Sequence, residues 1–312
     1  MCALAVVVAA GLQPAAAQSR PEPPRPTFRT AVDLVSVSAV VKDRHGRLVR
    51  DLSADDFIVV DNGVRRRIVD FTAGSSAAVT LAILVDESGS MRVDAGAVTA
   101  RRVVDEFLAV LAESGARRDE IALFGFDTRV RELQPFTSDL ARVRGSLDEL
   151  KPFGSTSIYD AIADTARLVA ARGWVRRALV VVTDGMDNRS RLSLEEVSGF
   201  ASAIDVPVYV VQVGSPSDVA RIANESRDPR AASATLEDLA RWTGGERIAV
   251  GATDLDARLA AARIVSDVRY QYLLAFESAP EPGWRPLEVR TRDEQLNVRA
   301  RSAYMAGEQR PE

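Results

Sequence analysis

Histidine and cysteine are nearly absent from this 312-residue chain, and each absence excludes a class of chemistry. His45 is the only histidine and Cys2 the only cysteine. A zinc site built from several histidines or cysteines is therefore excluded, and no disulfide can form within the chain. A nucleophile activated by histidine would have to use His45, which lies in the polar sequence KDRHGRL. We therefore expect a protein that is not an enzyme.

Lysine is also scarce, and positive charge comes almost entirely from arginine. Lys42 and Lys151 are the only lysines among 40 basic residues, and the formal net charge is -4. The arginines are scattered along the sequence, so they form no basic footprint for nucleic acid. Hydrophobic residues make up 46% of the chain, which is enough to bury a sizeable core. We expect a globular protein with no nucleic-acid partner.

Long apolar runs are missing as well, apart from a short one near the first residue. Residues 3–11 are apolar, and Ala15 and Ala17 then form an A-x-A pattern. A membrane anchor is the alternative interpretation, but spanning a bilayer takes roughly 20 apolar residues. The pattern instead predicts a cleaved export signal over residues 1–17. The mature protein would then be periplasmic or extracellular and would have no transmembrane segment.

Two kinds of hydrophobic pattern divide the rest of the chain. Both flanks contain short segments with alternating apolar residues, as in AVDLVSVSAVVK, where Val35, Val37, Ala39 and Val41 would share one face of a strand. Residues 77–267 instead alternate near-continuous apolar strands with amphipathic helices. This second pattern predicts a doubly wound α/β domain with a mostly parallel sheet, Rossmann-like in architecture, covered on both faces.

The flanks are expected to form one small domain together. Each flank has about three predicted strands, too few for a stable sandwich of its own. We expect the two flanks to pair into one β-sandwich into which the α/β domain is inserted; the alternative is two independent β appendages. The predicted organisation is an export signal (1–17), a Pro-rich linker (18–28), the first part of the sandwich (29–76), the α/β domain (77–267), the second part of the sandwich (268–306) and a disordered tail (307–312).

Polar residues follow or precede three of the predicted buried elements. Asp86, Ser88 and Ser90 alternate in VDESGSM, Thr156 lies in GSTSIYDAI at a helix start, and Asp184 follows a central strand in VVVTDGMDN. Loops at the carboxyl ends of parallel strands meet at the topological switch point. All five side chains offer hard oxygen donors, which favour Mg²⁺, Mn²⁺ or Ca²⁺ over zinc or copper. We expect Mg²⁺, with Mn²⁺ and Ca²⁺ as alternatives.

Each of the three loops also has a purely structural interpretation. The first loop could be a polar turn that caps the next helix. Thr156, Ser155 or Ser157 could cap the helix that follows the second loop. The TDG sequence of the third loop could be a plain turn. Asp187 is interpreted as a turn residue or a neighbour of the ligands rather than as a ligand.

The sequences DESGS, GST and TDG, in this order, resemble the metal-ion-dependent adhesion site of the von Willebrand factor type A domain. The resemblance covers roughly residues 77–267. It implies that Ser88, Ser90 and Thr156 are hydroxyl ligands and that Asp86 and Asp184 act directly or through water. The flanking β segments and the closing sequence ARSAYMA resemble a bacterial subgroup of such proteins, although Ser302 and Ala303 replace the small pair usual in that motif.

The resemblance implies an exported adhesion or scaffold module. The two carboxylates balance the charge of a divalent ion, but the hydroxyls are weak donors. The ion would therefore take a further ligand, namely an Asp or Glu carboxylate of a partner protein. Two alternatives remain open: a structural module whose metal only holds the loops together, and a metal-dependent hydrolase. The sequence contains no P-loop, no G-x-S-x-G and no S-x-x-K motif to support the hydrolase.

Overall fold

The computed structural model describes ten stretches of the chain. They are residues 34–73, 77–92, 96–115, 118–172, 176–185, 187, 189–214, 235–251, 253–279 and 281–307. The predicted export signal, the predicted linker and residues 308–312 of the predicted tail lie outside them. Among the described residues, no helix combines the length and the apolar character that crossing a membrane requires.

The elements alternate along the chain as follows. The strands of the described residues are β1 (Leu34–Lys42), β2 (Phe57–Asp61), β3 (Val64–Arg66), β4 (Ile68–Thr72), β5 (Val79–Asp86), β6 (Glu120–Phe126), β7 (Val130–Thr137), β8 (Arg176–Thr183), β9 (Val208–Val213), β10 (Arg247–Val250), β11 (Tyr272–Glu277), β12 (Gly283–Thr291), β13 (Asn297–Ala300) and β14 (Ala303–Ala306). The helices are α1 (Gly96–Glu113), α2 (Leu140–Ser146), α3 (Ile158–Ala170), α4 (Leu194–Ala203), α5 (Leu236–Thr243) and α6 (Asp254–Arg269).

A largely parallel sheet forms the centre of the α/β part. Its strand order among the described residues is β10-β9-β8-β5-β6-β7. Every residue of β5, β8 and β9 is buried, which explains their continuous apolar sequences. Helices α1, α2 and α6 cover one face of the sheet, and α3, α4 and α5 cover the other. The prediction of a doubly wound, mostly parallel sheet is confirmed.

The edge strand β7 departs from the parallel pattern. It pairs antiparallel with β6, and the sequence pattern does not predict it as a strand. Its sequence VRELQPFT is largely polar, and only Leu133 is buried. Pro135 is tolerated because an edge strand has one side free of ladder hydrogen bonds. A half-exposed edge strand leaves little of the periodicity that reveals buried strands.

The two flanks form a pair of four-stranded antiparallel sheets. Their strand orders are β13-β1-β11-β4 and β14-β12-β2-β3, so each sheet takes strands from both flanks. The predicted face of β1 is buried in the core that the two sheets share, as are Tyr272 of β11, Phe57 of β2 and Leu287 of β12. This mixed pairing confirms one sandwich, with the α/β part inserted, over two separate appendages.

The closing segment LNVRARSAYM is two strands rather than the single strand that its sequence predicts. β13 joins one sheet and β14 the other, and the chain crosses between them at Arg301 and Ser302. The buried guanidinium of Arg301 donates to the carbonyl oxygens of Ser36 and Ser202. These bonds join the crossing to β1 and to the end of α4. A charged side chain inside a strand pattern marks this break.

The sandwich contacts the amino ends of the parallel strands. Arg176, the first residue of β8, donates to the carbonyl oxygens of Ala73 (2.8 Å) and Gln271 (3.3 Å) in the two connecting segments. Arg269, at the end of α6, forms a 2.5 Å ion pair with Asp119, which directly precedes β6. The carboxyl ends of the parallel strands therefore point away from the sandwich, and the three polar loops begin there.

Candidate metal centre

The first loop begins at Asp86, the last residue of β5, whose side chain is almost completely buried. Its Oδ1 atom accepts a hydrogen bond from the Ser88 amide at 2.8 Å. Its Oδ2 atom accepts one from the Thr183 hydroxyl at 2.6 Å. The hydroxyl oxygens of Ser88 and Ser90 lie 2.9 Å apart. The alternation D-x-S-x-S thus places one carboxylate and two hydroxyls on one side of a tight turn.

Backbone hydrogen bonds join the second loop to the first. The Gly89 amide donates to the Gly154 carbonyl at 2.9 Å, and the Phe153 amide donates to the Glu87 carbonyl at 2.5 Å. Gly154 has φ +106°, a conformation that L-residues rarely adopt, so glycine is required there. This loop carries Thr156, which is buried.

The helix after the second loop is capped by residues of the third loop. Its N-cap residue is Ser157, but the Ser157 side chain makes no capping hydrogen bond. The Ile158 amide instead donates to Oδ1 of Asp187 at 2.8 Å, and the hydroxyl of Ser190 accepts from the next two amides. The capping alternative for Thr156 is therefore wrong. Asp187 thus acts as a capping residue of this helix.

The third loop leaves β8 through Thr183 and Asp184. The Asp184 carbonyl accepts a 3.0 Å hydrogen bond from the amide of the Gln212 side chain in β9. Gly185 has φ +93°, and its amide donates to the Thr183 hydroxyl at 3.0 Å. A Cβ atom on Gly185 would lie 2.5 Å from Nε2 of Gln212. The glycine of TDG therefore permits both the backbone angle and the close approach of β9.

The three loops lie close together, as the sequence predicts, although not every pair of candidate ligands is in direct contact. Asp86 and Ser88 are hydrogen-bonded, and Ser90 contacts Ser88. Asp184 is near enough for its charge to act on Asp86. The carbonyl of Thr156 accepts a 3.0 Å hydrogen bond from the Arg189 amide, which joins the second loop to the third.

The Asp86 carboxyl is the strongest electrostatic feature of the centre. Burial raises its pKa from the ordinary value of 3.8 to about 6, and the negative charge of Asp184 acts in the same direction. Hydrogen bonds from Thr183 and Ser88 oppose this rise. The ionised form of Asp86 is therefore disfavoured, because burial removes water from its charge. A cation placed beside the carboxylate would stabilise its ionised form.

The donor set fits a small divalent cation. Octahedral Mg²⁺ holds oxygens at 2.0–2.1 Å, so adjacent ligands lie about 2.9 Å apart. The hydroxyls of Ser88 and Ser90 have this separation, which also lets them hydrogen-bond to each other. Among the described residues, no three or more His, Cys, Asp or Glu side chains form a metal-binding cluster. A metal held here would thus depend on hydroxyls as well as on the two carboxylates.

Two supporting interactions are not predicted by the sequence pattern. Thr183 orients Asp86, and its place directly before the aspartate of TDG was the available signal. Glu87 is buried and accepts hydrogen bonds from one guanidinium nitrogen of Arg131 (2.8 and 2.9 Å) and from the Lys151 amide (2.6 Å). Glu87 therefore connects the first loop to β7 and to the second loop. Its partner Arg131 lies in the strand that the sequence does not reveal.

Comparison with known families finds a similarity in the central part of the chain. The family model described as "von Willebrand factor type A domain" matches residues 81–186. All five candidate ligands lie within this range. The match and the order of strands and helices together give a von Willebrand factor type A-like fold. No curated protein sequence matches the chain significantly.

Several solved structures resemble the chain at low sequence identity. An aerotolerance-related membrane protein from Bacteroides fragilis is 21% identical, with a TM-score of 0.47, over 61% of this chain and 98% of that one. The PilB minor pilin from Streptococcus sanguinis is 14% identical, with a TM-score of 0.47, over 64% and 63%. A von Willebrand factor type A protein from Catenulispora acidiphila is 11% identical, with a TM-score of 0.48, over 90% and 74%. At these identities and scores, the similarities identify no function for this chain.

Proposed function

We propose that this chain is an exported protein-interaction module that binds a divalent cation, Mg²⁺ in the first place, at a metal-ion-dependent adhesion site. Asp86, Ser88, Ser90, Thr156 and Asp184 would hold the ion directly or through water. The ion would coordinate an Asp or Glu carboxylate of a partner protein. The export signal expected over residues 1–17 supports an extracellular or periplasmic location, and the flanking strands support membership of the bacterial subgroup.

The observation that carries the proposal is the surroundings of Asp86. Its carboxylate is buried beside a pair of serine hydroxyls at octahedral spacing, with Asp184 near enough to raise its pKa. Such a cluster places negative charge where water cannot stabilise it fully. A divalent cation supplies the missing stabilisation. It also supplies Lewis acidity toward a further oxygen ligand, since neutral hydroxyls reduce its charge little.

A purely loop-organising metal explains the geometry less well. The loops are already joined through protein hydrogen bonds, from Gly89 to Gly154 and from Arg189 to Thr156. The protein therefore needs no ion to bring the loops together. We propose that the ion acts mainly in recognition. Its removal should abolish partner binding while changing the unfolding temperature by only a few degrees.

A hydrolytic role has less support, because the described acids beside the candidate ligands are engaged in other contacts. Metal-assisted hydrolysis needs a positioned group that takes a proton from water. Asp187 is engaged with the Ile158 amide and the Ser190 hydroxyl, and Glu87 is engaged with Arg131. The hydrolase is therefore the weaker proposal. Turnover of a phosphoester or peptide that is lost in Asp184→Ala would support it.

Metal binding can be tested by titrating the purified protein with Mn²⁺ under electron paramagnetic resonance detection, followed by competition with Mg²⁺. We expect one site in the wild type and a loss of affinity of at least tenfold in Ser88→Ala, which removes a hydroxyl donor. Ser198→Ala is the matched control, because this buried hydroxyl bonds only to the carbonyl of Leu194 within α4. Equal Mn²⁺ affinity in wild type and Ser88→Ala would contradict the proposal.

Partner binding needs a separate experiment. Affinity capture from an extracellular or outer-membrane fraction should retain a protein in Mg²⁺ and release it in EDTA. The Asp86→Ala variant should capture nothing, whereas Ser198→Ala should behave as the wild type does. Capture that is unaffected by EDTA and by Asp86→Ala would show that the metal has no part in recognition.

A further inference from the structure

The rim of the candidate metal centre carries four exposed cationic side chains, Arg92, Arg129, Lys151 and Arg189. None of the four forms an ion pair with another residue in the described ranges. Elsewhere in the chain, exposed arginines commonly face acids, as Arg258 does with Glu113 at 2.7 Å. Exposed arginines without an ion pair also occur elsewhere among the described residues, as at Arg65 and Arg67, so the distinguishing feature of this face is that four such cations lie around one centre.

Two of these cations lie in the loops that build the centre. The Lys151 amide donates to a carboxylate oxygen of Glu87 at 2.6 Å, beside the first loop. The Arg189 amide donates to the Thr156 carbonyl at 3.0 Å, which places Arg189 beside a candidate ligand. Both backbones are fixed while both side chains extend into solvent.

The other two cations lie in the first loop and after β6. Arg92 ends the short 3₁₀ turn Gly89–Arg92 that contains Ser90. The Arg129 amide donates to the Asp127 side chain at 2.9 Å, and the Asp127 carbonyl accepts from the Ser157 amide at 2.8 Å. All four cations thus surround the carboxyl ends of β5, β6 and β8.

The acids of these loops offset only part of this positive charge. Glu87 and Asp160 are already paired with other arginines, Arg131 and Arg191, whereas Asp127 and Asp187 accept hydrogen bonds from neutral backbone amides and keep their negative charge. Asp86 and Asp184 carry the two charges that a divalent ion balances. With the ion bound, the groups named on this face comprise six cations and four remaining acids, so we expect its outward electrostatic potential to be positive.

An apolar contact lies at the same rim. Phe153 is 75% exposed, the largest exposed fraction among the large hydrophobic side chains of the described residues. Its backbone is fixed by a 2.5 Å hydrogen bond to the Glu87 carbonyl, and the next residue, Gly154, bonds to Gly89. An exposed aromatic side chain on a hydrogen-bonded backbone beside a polar centre is typical of an interface contact, since aromatic residues are enriched there.

We propose that this face recognises an acidic polypeptide segment with three features: one carboxylate that reaches the metal, an apolar side chain beside it that packs on Phe153, and further acidic residues that face the four cations. This inference rests on the proposed function, because the metal-bound carboxylate is the centre of the contact. The overall charge of -4 does not prevent such a partner, since the potential is local to the rim.

The test uses fluorescence anisotropy with short synthetic peptides on the full chain in Mg²⁺. The first peptide places a central aspartate–leucine pair among glutamates. The second replaces each acid by its amide, and the third replaces the leucine by serine. We expect the first peptide to bind most tightly, with an affinity that falls as salt rises, because exposed charges are screened.

Rim variants assign the contacts. Arg92→Gln combined with Arg189→Gln should weaken the acidic peptide about three- to tenfold and flatten its salt dependence. Phe153→Ser should weaken the leucine peptide and leave the serine peptide unchanged, as in a double-mutant cycle. Arg65→Gln and Leu259→Ser, exposed residues of β3 and α6, are the matched controls and should change nothing.

The outcomes separate this inference from the proposed function. Absence of Mn²⁺ binding in the wild type would overturn the proposed function. Mn²⁺ binding together with equal affinity for the acidic and amide peptides, or with rim variants that bind as the wild type does, would overturn only the inference. Tighter binding of a single-stranded oligodeoxynucleotide than of the acidic peptide would overturn it as well, because the face would then read phosphates.

Discussion

Asp86 is the residue whose environment in the metal-free protein conflicts most with its charge. Burial raises its pKa to about 6, against 3.8 for an ordinary aspartate. Between these two values the folded protein holds a proton that the unfolded chain has released. Rising pH therefore lowers the stability of the metal-free protein from about pH 4 to about pH 6 through this group. Above pH 6 the loss is complete.

Asp86→Asn should make the metal-free protein more stable above pH 6. The neutral amide avoids the desolvated charge, and a tenfold change in an acid constant corresponds to roughly 1.4 kcal/mol. We expect a gain of up to about 3 kcal/mol at pH 8 in EDTA, and little difference near pH 4. Urea denaturation at both pH values measures this. A variant that is less stable than wild type at pH 8 in EDTA would contradict the expectation, and Mn²⁺ binding should be lost.

Glu87 acts at the residue scale through its neighbours rather than on the ion. Arg131→Gln removes its guanidinium partner, which is half-exposed, without opening a cavity. We expect Mn²⁺ affinity to fall about tenfold, as is usual when a group that supports a ligand is lost, and stability in EDTA to fall by about 1–3 kcal/mol, because Glu87 stays buried without its cation. Arg142→Gln, in an exposed ion pair on α2, is the control. Unchanged Mn²⁺ affinity in Arg131→Gln would contradict this supporting role of Glu87.

At the scale of the element, β6 is shaped by the side chain that crosses it. A Cβ atom on Gly125 would lie 2.1 Å from a carboxylate oxygen of Glu87. The glycine therefore lets Glu87 reach Arg131 and the second loop. Phe124 and Phe126, its neighbours in β6, are buried. The strand thus serves the core through its aromatic residues and the candidate centre through its glycine.

Gly125→Ala should displace Glu87 and destabilise the fold. We expect a loss of about 1–3 kcal/mol, as for overpacking in a core, together with weaker Mn²⁺ binding. Gly145→Ala in α2 is the matched control, because no atom lies within 4 Å of the added Cβ. This second variant should gain about 0.5–1 kcal/mol from helix propensity. Thermal unfolding compares the two, and equal behaviour would contradict the close-approach argument.

The more completely an element is buried, the more clearly its sequence pattern predicts it. Strands buried on both faces, such as β5, reveal themselves by continuous apolar residues, and β1 by its period-two face. The edge strand β7 carries neither signal. The polar loops could be predicted because each lies next to a strongly patterned element. The contact of Glu87 with Arg131 could not, since it depends on where β7 lies.

At the scale of the whole molecule, a buried charge cluster joins the sandwich to the α/β part. Arg299 of β13 contacts Asp267 of α6 at 2.5 Å and Glu246 at 2.6 Å, and its guanidinium also donates to the Tyr209 hydroxyl at 3.1 Å. Lys42 of β1 reaches Asp267 at 2.9 Å. Asp267 is 1% exposed. The two parts are therefore expected to unfold together.

Asp267→Ala should test this coupling. Its loss leaves two cations without their shared carboxylate, and breaking a buried pair typically costs about 3–5 kcal/mol. Asp164→Ala is the matched control, because its ion pair with Arg167 is exposed and should contribute less than about 1 kcal/mol. Urea denaturation followed by circular dichroism measures both variants. Two separate transitions in the wild type would contradict the coupling.

The opposite placement of sandwich and polar loops has a practical consequence. Leu34 and Gly307 are the first and last described residues, and both lie in or directly next to strands of the sandwich. The candidate centre lies at the opposite ends of the parallel strands of the central sheet. A sensor surface or a fused fluorophore attached near either residue would leave the centre pointing outward.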